Sequence, residues 1–153
     1  MRKLRYLVVI LIMALDQLVK CLIRANFEVG ESRAFLGKFM SLTYLENRGV
    51  AFSMFTGKGM ILVIVPILIS ALAIWYMEKR KDEHWTLYAS ISCIVAGGIG
   101  NVIDRLVLGF VTDMFDLHWW PVFNVADIAI CVGCGLLVIY VLVFMDKYKK
   151  VEE

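Results

Sequence analysis

Residues 85–105 read WTLYASISCIVAGGIGNVIDR, and the stretch from Trp85 to Ile103 carries no charge before Asp104 and Arg105 close it. An uncharged run of roughly 18 residues or more can cross the hydrocarbon core of a bilayer as a helix. Working outward, Met60 to Met77 and Ile128 to Met145 are equally free of charge. Tyr6 to Leu15 is wholly apolar, then Asp16, Gln17 and Lys20 interrupt before Cys21, Leu22 and Ile23. The composition agrees: of 153 residues, 61% are hydrophobic and 20% charged, against about half hydrophobic in ordinary globular proteins. Mean hydropathy is +0.77. Disorder and a secreted disulfide scaffold are excluded. The net charge of +2, from 16 basic and 14 acidic residues, is too small to imply nucleic acid as a partner.

The expected fold is therefore integral membrane α-helical, one domain over 1–153 with four spans at about 5–23, 60–77, 85–104 and 124–145. Residues 1–23 could alternatively form a cleaved signal peptide, since Arg2, Lys3 and Arg5 precede the apolar run. No small-x-small cleavage site follows it, which favours an uncleaved helix. Basic clusters precede span one (Arg2, Lys3, Arg5), join spans two and three (Lys79, Arg80, Lys81) and follow span four (Lys147, Lys149, Lys150). Four spans put all three clusters on one side, which the positive-inside rule assigns to the cytoplasm, with both termini. The two other connections face outward. Residues 26–46, with Phe27, Val29, Phe35, Phe39, Leu42, Tyr44 and Leu45 broken by Gly30 and Gly37, read as short strands. Residues 110–115 would add another. Together they make a small extracytoplasmic β region, with Trp119 and Trp120 suited to the interfacial belt. Pro66 inside span two is a kink position that membrane helices tolerate.

Carboxylates inside or beside spans are expensive unless paired, hydrated or neutral, so each is a functional hypothesis by default. Asp16, Asp104, Asp113 and Asp127 all fall near the outer leaflet on this topology. Asp16 lies eleven residues past Arg5, about 16 Å along a helix. Asp104 ends span three, Asp127 opens span four, and Asp113 sits in the connection between them. Gly97, Asn101 and Arg105 follow an i, i+4 row, and Asn101 with Asp104 and Asn124 with Asp127 are i, i+3 pairs. Asp16 and Lys20 are i, i+4. Gly97, Gly98 and Gly100 would admit another backbone closely, and Ala126 leaves room beside Asp127. Plainer readings stand beside these. Asp16 with Lys20 can be an ion pair ending a span; Asp104, Arg105 and Asn101 can be a structural network; Asp127 can be a helix-start acid favoured by the macrodipole.

Other chemistries find little support. The two histidines, His84 and His118, form no zinc-binding pattern, so no metal and no cofactor is expected. Cys131 and Cys134 make a C-x-x-C inside an apolar span without redox context, and packing suits them, Cys21 and Cys93. Ser41 and Ser53 lack an evident histidine base, and a dyad with Lys20 or Lys58 has no spacing to commend it.

Five motifs in order nevertheless resemble one family, the type II or lipoprotein signal peptidases of bacteria. They are Asp16-Gln17-x-x-Lys20, Asn47-x-Gly49-x-Ala51-Phe52, Gly97-Gly98-x-Gly100-Asn101-x-x-Asp104-Arg105, Val111-Thr112-Asp113, and Phe123-Asn124-x-Ala126-Asp127. Met114 departs from the phenylalanine of the family's pattern. The resemblance implies an aspartic endopeptidase of the bacterial cell membrane, with its site near the outer face and a small β-cradle. It would cut prolipoproteins before a cysteine already carrying diacylglycerol, by a two-aspartate, water-mediated reaction, and be a target of globomycin-type cyclic peptides. Asp113 and Asp127 would be the catalytic pair. Asp16, Lys20, Asn47, Gly49, Gly97, Asn101, Asp104, Arg105, Asn124 and Ala126 would line or support the site. The implied partners are the lipidated substrate and membrane lipids, with the chain as a monomer. Two rivals remain: a proton-coupled transporter, for which polar residues should spread through the full depth of the spans, and a non-enzymatic scaffold using the outer strands, which leaves the carboxylates unexplained.

Overall fold

The computed structural model describes residues 2–49, 60–80 and 83–145. Ala51, Phe52, Ser53, Lys58, Lys81, Lys147, Lys149 and Lys150 lie outside the described residues. Helix α1 spans Arg2–Asn26, α2 Ile61–Lys79, α3 Trp85–Leu108 and α4 Val125–Ile139, the last continuing as a π-helical turn over Tyr140–Phe144. All four are long and apolar enough to span a membrane, and the protein is a multi-pass membrane protein. Helix α1 runs three residues beyond the expected end at 23, so Arg24 belongs to the helix and not to an outer loop. Asp104 likewise lies one turn inside α3, not at its end.

Helix α3 is the centre of the bundle. Its buried residues occur on several faces, and several of them, among them Ser90, Ser92, Ala96, Gly97 and Gly100, are small; α1, α2 and α4 all pack against it. Helix α2 is apolar all round and runs through Pro66 as one helix, as a helix largely surrounded by lipid should. At the end away from the strands, Met77, Leu87, Tyr88, Ile91, Val95 and Tyr140 form the main apolar cluster. There the Tyr6 hydroxyl donates to Glu78 at 2.8 Å and the Tyr140 hydroxyl donates to Glu83.

Three strands form one antiparallel sheet in the order β1 (Ser32–Leu36), β2 (Met40–Asn47), β3 (Val111–Asp116). The left-handed Gly109 (φ 82°) ends α3, donating its N–H to Arg105 O at 3.1 Å, and sends the chain into β3 two residues later. Asp113 thus lies in a strand, in the stretch 110–115 where one was expected. Alternation along β3 sends Val111 and Asp113 to one face and Thr112 and Met114 to the other. Met114 packs fully buried with Ile23 and Tyr44, so methionine fills that space where the family's pattern carries phenylalanine. Phe123 then bridges back to Phe115, with bonds of 2.8 and 3.1 Å. That clasp places Asn124, the first cap of α4, beside β3.

A Cβ at Gly133 on α4 would stand 2.7 Å from Ile94 Cγ1 and 2.8 Å from the Ser90 carbonyl oxygen of α3. Overpacking of this kind typically destabilises by about 1–3 kcal/mol. Gly133→Ala is expected to lower the unfolding temperature in detergent, and an unchanged midpoint would show that α3 and α4 can part without loss.

Candidate active site

The site grows from α1 inward. Asp16, Lys20 and Arg24 repeat at i, i+4 and i+8, so one stripe of α1 faces the bundle. Asp16 and Lys20 are 0% exposed and Asp104 of α3 is 1% exposed, a depth at which charges persist only when paired and hydrogen-bonded. Lys20 Nζ lies 2.9 Å from Asp16 Oδ2 and 3.3 Å from Asp104 Oδ2, and donates to Asn101 Oδ1 at 2.9 Å. Three ammonium protons thus meet three acceptors. Asp16 Oδ1 accepts the Ala126 N–H at 2.9 Å, binding α1 to the first turn of α4. Asp104 Oδ2 accepts the Thr112 N–H at 2.9 Å, holding β3 against α3. Arg24 donates to Thr112 Oγ1 at 2.9 Å and stands 3.9 Å from Asp104. Gln17 Nε2 reaches Asp16, Asp104 and the Gly100 carbonyl at 3.1–3.2 Å.

Glycines make this closeness possible. A Cβ at Gly100 would lie 2.8 Å from Asp16 Oδ2, and one at Gly97 would overlap the Ala126 carbonyl oxygen. The backbone that Gly97 admits is therefore that of α4. Ala126, fully buried, packs within 3.5 Å of the position of a Gly100 Cβ.

Asn101 carries the network onward. With Oδ1 facing Lys20, its Nδ2 donates to Asp127 Oδ1 at 2.9 Å. Asn124 Nδ2 donates to Asn101 Oδ1 at 3.1 Å and to Asp113 Oδ1 at 2.6 Å. Asn124 and Asp127 also form a capping box: Asn124 Oδ1 accepts the Asp127 N–H at 2.9 Å, and Asp127 Oδ2 accepts the Asn124 N–H at 3.2 Å. The helix-start reading of Asp127 is thus correct and incomplete, because its second oxygen faces the cluster. Across the sheet, Asn47 sits diagonally from Asp113 and donates to Asp113 Oδ2 at 2.9 Å. Gly49, at φ +71°, turns the chain so that its N–H donates to Asn47 Oδ1 at 2.9 Å. That leaves the Asn47 NH₂ for the carboxylate. Arg105 bonds its own helix at Asn101 O, 3.4 Å, and acts on Asp127, Asp113 and Asp104 through its charge.

All twelve residues singled out in the sequence meet in or around this one network. Arg24 was missed, although its place on the i, i+4 stripe with Asp16 and Lys20 was a usable signal. One expectation is corrected: Ser41 does have a histidine, with His118 Nε2 3.4 Å from its Oγ and Asp116 Oδ1 3.6 Å from His118 Nδ1. Tertiary pairing of β2 with β3 makes that array, which no sequence spacing announces. Lys20 cannot serve a serine, since all its protons are engaged. Among the described residues no group of His, Cys, Asp or Glu is arranged to hold a metal.

Asp113 is 1% exposed. Burial pushes its carboxyl up to about 6; the amides of Asn47 and Asn124 and the Lys20 charge oppose the rise, while the Asp127 charge adds to it. Two carboxylates bridged by amides in a poorly solvated site can hold one proton between them. A cleft of about 270 Å³ lined by Asn47, Arg48, Met60, Val63, Arg105 and Phe110 opens beside them.

Four spanning helices, a small sheet and two facing aspartates at the sheet end define a membrane protein of the intramembrane-carboxylate kind. The family model for signal peptidase (SPase) II matches residues 8–143. The chain is 40% identical over 137 residues to a lipoprotein signal peptidase of Streptococcus pneumoniae, covering 88% of this chain and 90% of that one. It is 35% identical over 153 residues to the corresponding protein of Lactococcus lactis subsp. cremoris, covering 98% and 100%. A bacterial membrane enzyme solved by the in meso method superposes with a TM-score of 0.86 at 28% identity, over 92% of this chain and 94% of that chain. The chain belongs to the signal peptidase II family and is an aspartic peptidase, a lipoprotein signal peptidase by its relatives.

Two outcomes are expected from this geometry. Lys20→Met leaves Asp16 buried without a cation and Asp104 with Arg24 at 3.9 Å as its remaining one, and breaking a buried pair in this way costs about 3–5 kcal/mol; Lys20→Met combined with Asp16→Asn should recover part of that loss in detergent unfolding. Secondly, the raised Asp113 pKa means that the folded state holds its proton more tightly than the unfolded one. Its contribution is fully present below about pH 4 and is lost as pH rises through about 6, at most roughly 3 kcal/mol. Unfolding midpoints from pH 4 to 7 should decline accordingly, with the slope absent in Asp113→Asn.

Proposed function

We propose that this peptidase removes signal peptides from diacylglyceryl-modified prolipoproteins, cutting before the lipidated cysteine, with Asp113 and Asp127 as its catalytic pair. The observation that carries the mechanism is the hydrogen-bonded path Asp113–Asn124–Asn101–Asp127, which holds two carboxylates at one place by donors that leave them facing each other's charge. Lys20 and Arg24 offset Asp16 and Asp104, while Arg105 alone offsets Asp113 and Asp127. One negative charge is left over, and a shared proton is the simplest way to remove it. The ionised carboxylate takes a proton from a water, which attacks the scissile carbonyl carbon; the protonated one donates to the carbonyl oxygen. The roles reverse as the tetrahedral intermediate expels the amine. Asn47, Gly49, Gly97, Asn101, Asn124 and Ala126 position the pair; Asp16, Lys20 and Asp104 hold the helices that carry it.

Topology supports the same reading. Arg5, Lys79 and Arg80 lie at the end opposite the sheet, which the positive-inside rule places in the cytoplasm. The sheet and the aspartates then face outward, in the bacterial cell membrane, where a lipidated cysteine would arrive. Globomycin-type cyclic peptides would compete for the cleft beside Asn47 and Arg105. Every residue of the proposed site comes from one chain, so a monomer suffices.

The test is a gel-shift assay with a diacylglyceryl prolipoprotein in detergent. Wild type should cleave, and Asp113→Asn and Asp127→Asn should each lose roughly 10²–10⁴-fold or more, the scale of positioned acid–base catalysis, while still inserting. Asp16→Asn and Asn101→Ala should be slower but active. Wild-type rates in Asp127→Asn would refute the catalytic assignment; no cleavage by folded wild type of a validated substrate would refute the substrate.

A further inference from the structure

At the opposite end of the bundle from the aspartates, a groove of about 230 Å³ runs between α1 and α3, lined by Leu4, Arg5, Val8, Trp85, Tyr88 and Ala89 among others. Among the described residues its walls are apolar but for Ser92 and carry one charge, that of Arg5. Arg5 lies face-on to the Tyr88 ring, its guanidinium carbon 3.2 Å from the ring centroid. Arg5 Nε is buried and has no hydrogen-bond partner, the sole such side-chain atom among the described residues. A buried N–H with no acceptor is costly, so natural structures nearly always supply one.

Position narrows the choice of acceptor. Arg5 is in the first turn of α1 and Trp85 is the first residue of α3, 63% exposed; both sit where helix ends meet the polar boundary of a bilayer. From Tyr88, on whose ring the guanidinium lies, to Ser92, whose hydroxyl donates to the Arg5 carbonyl at 3.4 Å, the groove descends about 6 Å along α3 at 1.5 Å per residue. An occupant must be anionic beside Arg5 and hydrocarbon for about the next 6 Å. A soluble anion leaves the groove walls unmatched, and a zwitterionic lipid offers its phosphate with a competing cation beside it. A guanidinium presents Nε and Nη as a fork that matches phosphate oxygens, and Tyr88 pre-orients that fork by stacking.

We infer that the Arg5–Tyr88 groove is a binding site for an anionic glycerophospholipid, its phosphate on the Arg5 guanidinium and one acyl chain along Val8, Ala89 and Ser92. The site is separate from the peptidase site and independent of it. On the topology proposed above it belongs to the inner leaflet.

The experiment is native mass spectrometry of the whole protein in detergent, titrated with phosphatidylglycerol, with phosphatidylcholine and with glycerol 3-phosphate. One phosphatidylglycerol should be retained in preference to the other two. Arg5→Gln should weaken that retention about tenfold, the equivalent of one charge-assisted hydrogen bond, and prolipoprotein cleavage should persist. Ala89→Phe keeps the charge but fills the groove, and should lose the lipid as well; it serves if Arg5→Gln folds poorly. Equal retention of phosphatidylcholine, equal retention of glycerol 3-phosphate, or undiminished retention in both variants would each overturn the site.

Discussion

The Lys20 ammonium, sealed from solvent with its three protons on Asp16, Asp104 and Asn101, is the contact on which the arrangement of this protein depends. It pairs with two carboxylates buried away from solvent, Asp104 having Arg24 beside it as well, and each carboxylate accepts a backbone N–H from a different element. Asp16 takes the start of α4 and Asp104 takes β3. One cation therefore joins α1, α3, α4 and the sheet. Buried ion pairs of this sort add little stability over an apolar core, but breaking one leaves an uncompensated charge. The cluster consequently specifies one arrangement of the helices and penalises others.

The same ammonium determines the polarity of the site beyond it. Because a cation faces Asn101 Oδ1, the Asn101 amide must offer its NH₂ to Asp127, and because Asn124 Oδ1 is occupied by a helix N–H, Asn124 must offer its NH₂ to Asp113. Neither amide has a second satisfactory orientation. Helix capping and the chemistry of the site are in this way one set of bonds: Asn124 and Asp127 begin α4 as any capping box would, and the groups left over from capping face the carboxylate pair. Small residues complete the device. Gly97, Gly100 and Ala126 bring α4 and Asp16 so near α3 that no larger side chain would fit between them.

The two ends of the bundle solve opposite problems. At the sheet end, Asp16, Lys20, Asp104 and Asp113 are buried deeply and each is hydrogen-bonded or paired within the protein. At the other end, tyrosines, glutamates and arginines meet, and Arg5 Nε is buried without a hydrogen-bond partner.

Much of this was legible in the primary structure. Uncharged runs such as Trp85–Ile103 can only be satisfied by helices in lipid, since a spanning backbone must bond to itself, and the i, i+4 and i, i+3 spacings of Asp16 with Lys20 and of Asn124 with Asp127 are local enough to read directly. Five ordered motifs made the family recognisable. What spacing could not convey was reach across the fold. That Asn47 stands diagonal to Asp113, that Arg24 still belongs to α1, and that Ser41 meets His118 all depend on strand register and helix ends, which are decided by pairing between segments distant in the chain. Sequence alone determined which residues had to be buried and that their charges had to be answered; the tertiary structure decided which partner answers each, because a hydrogen bond is fixed by distance and direction, and those exist only once α1, α3, α4 and the sheet have met.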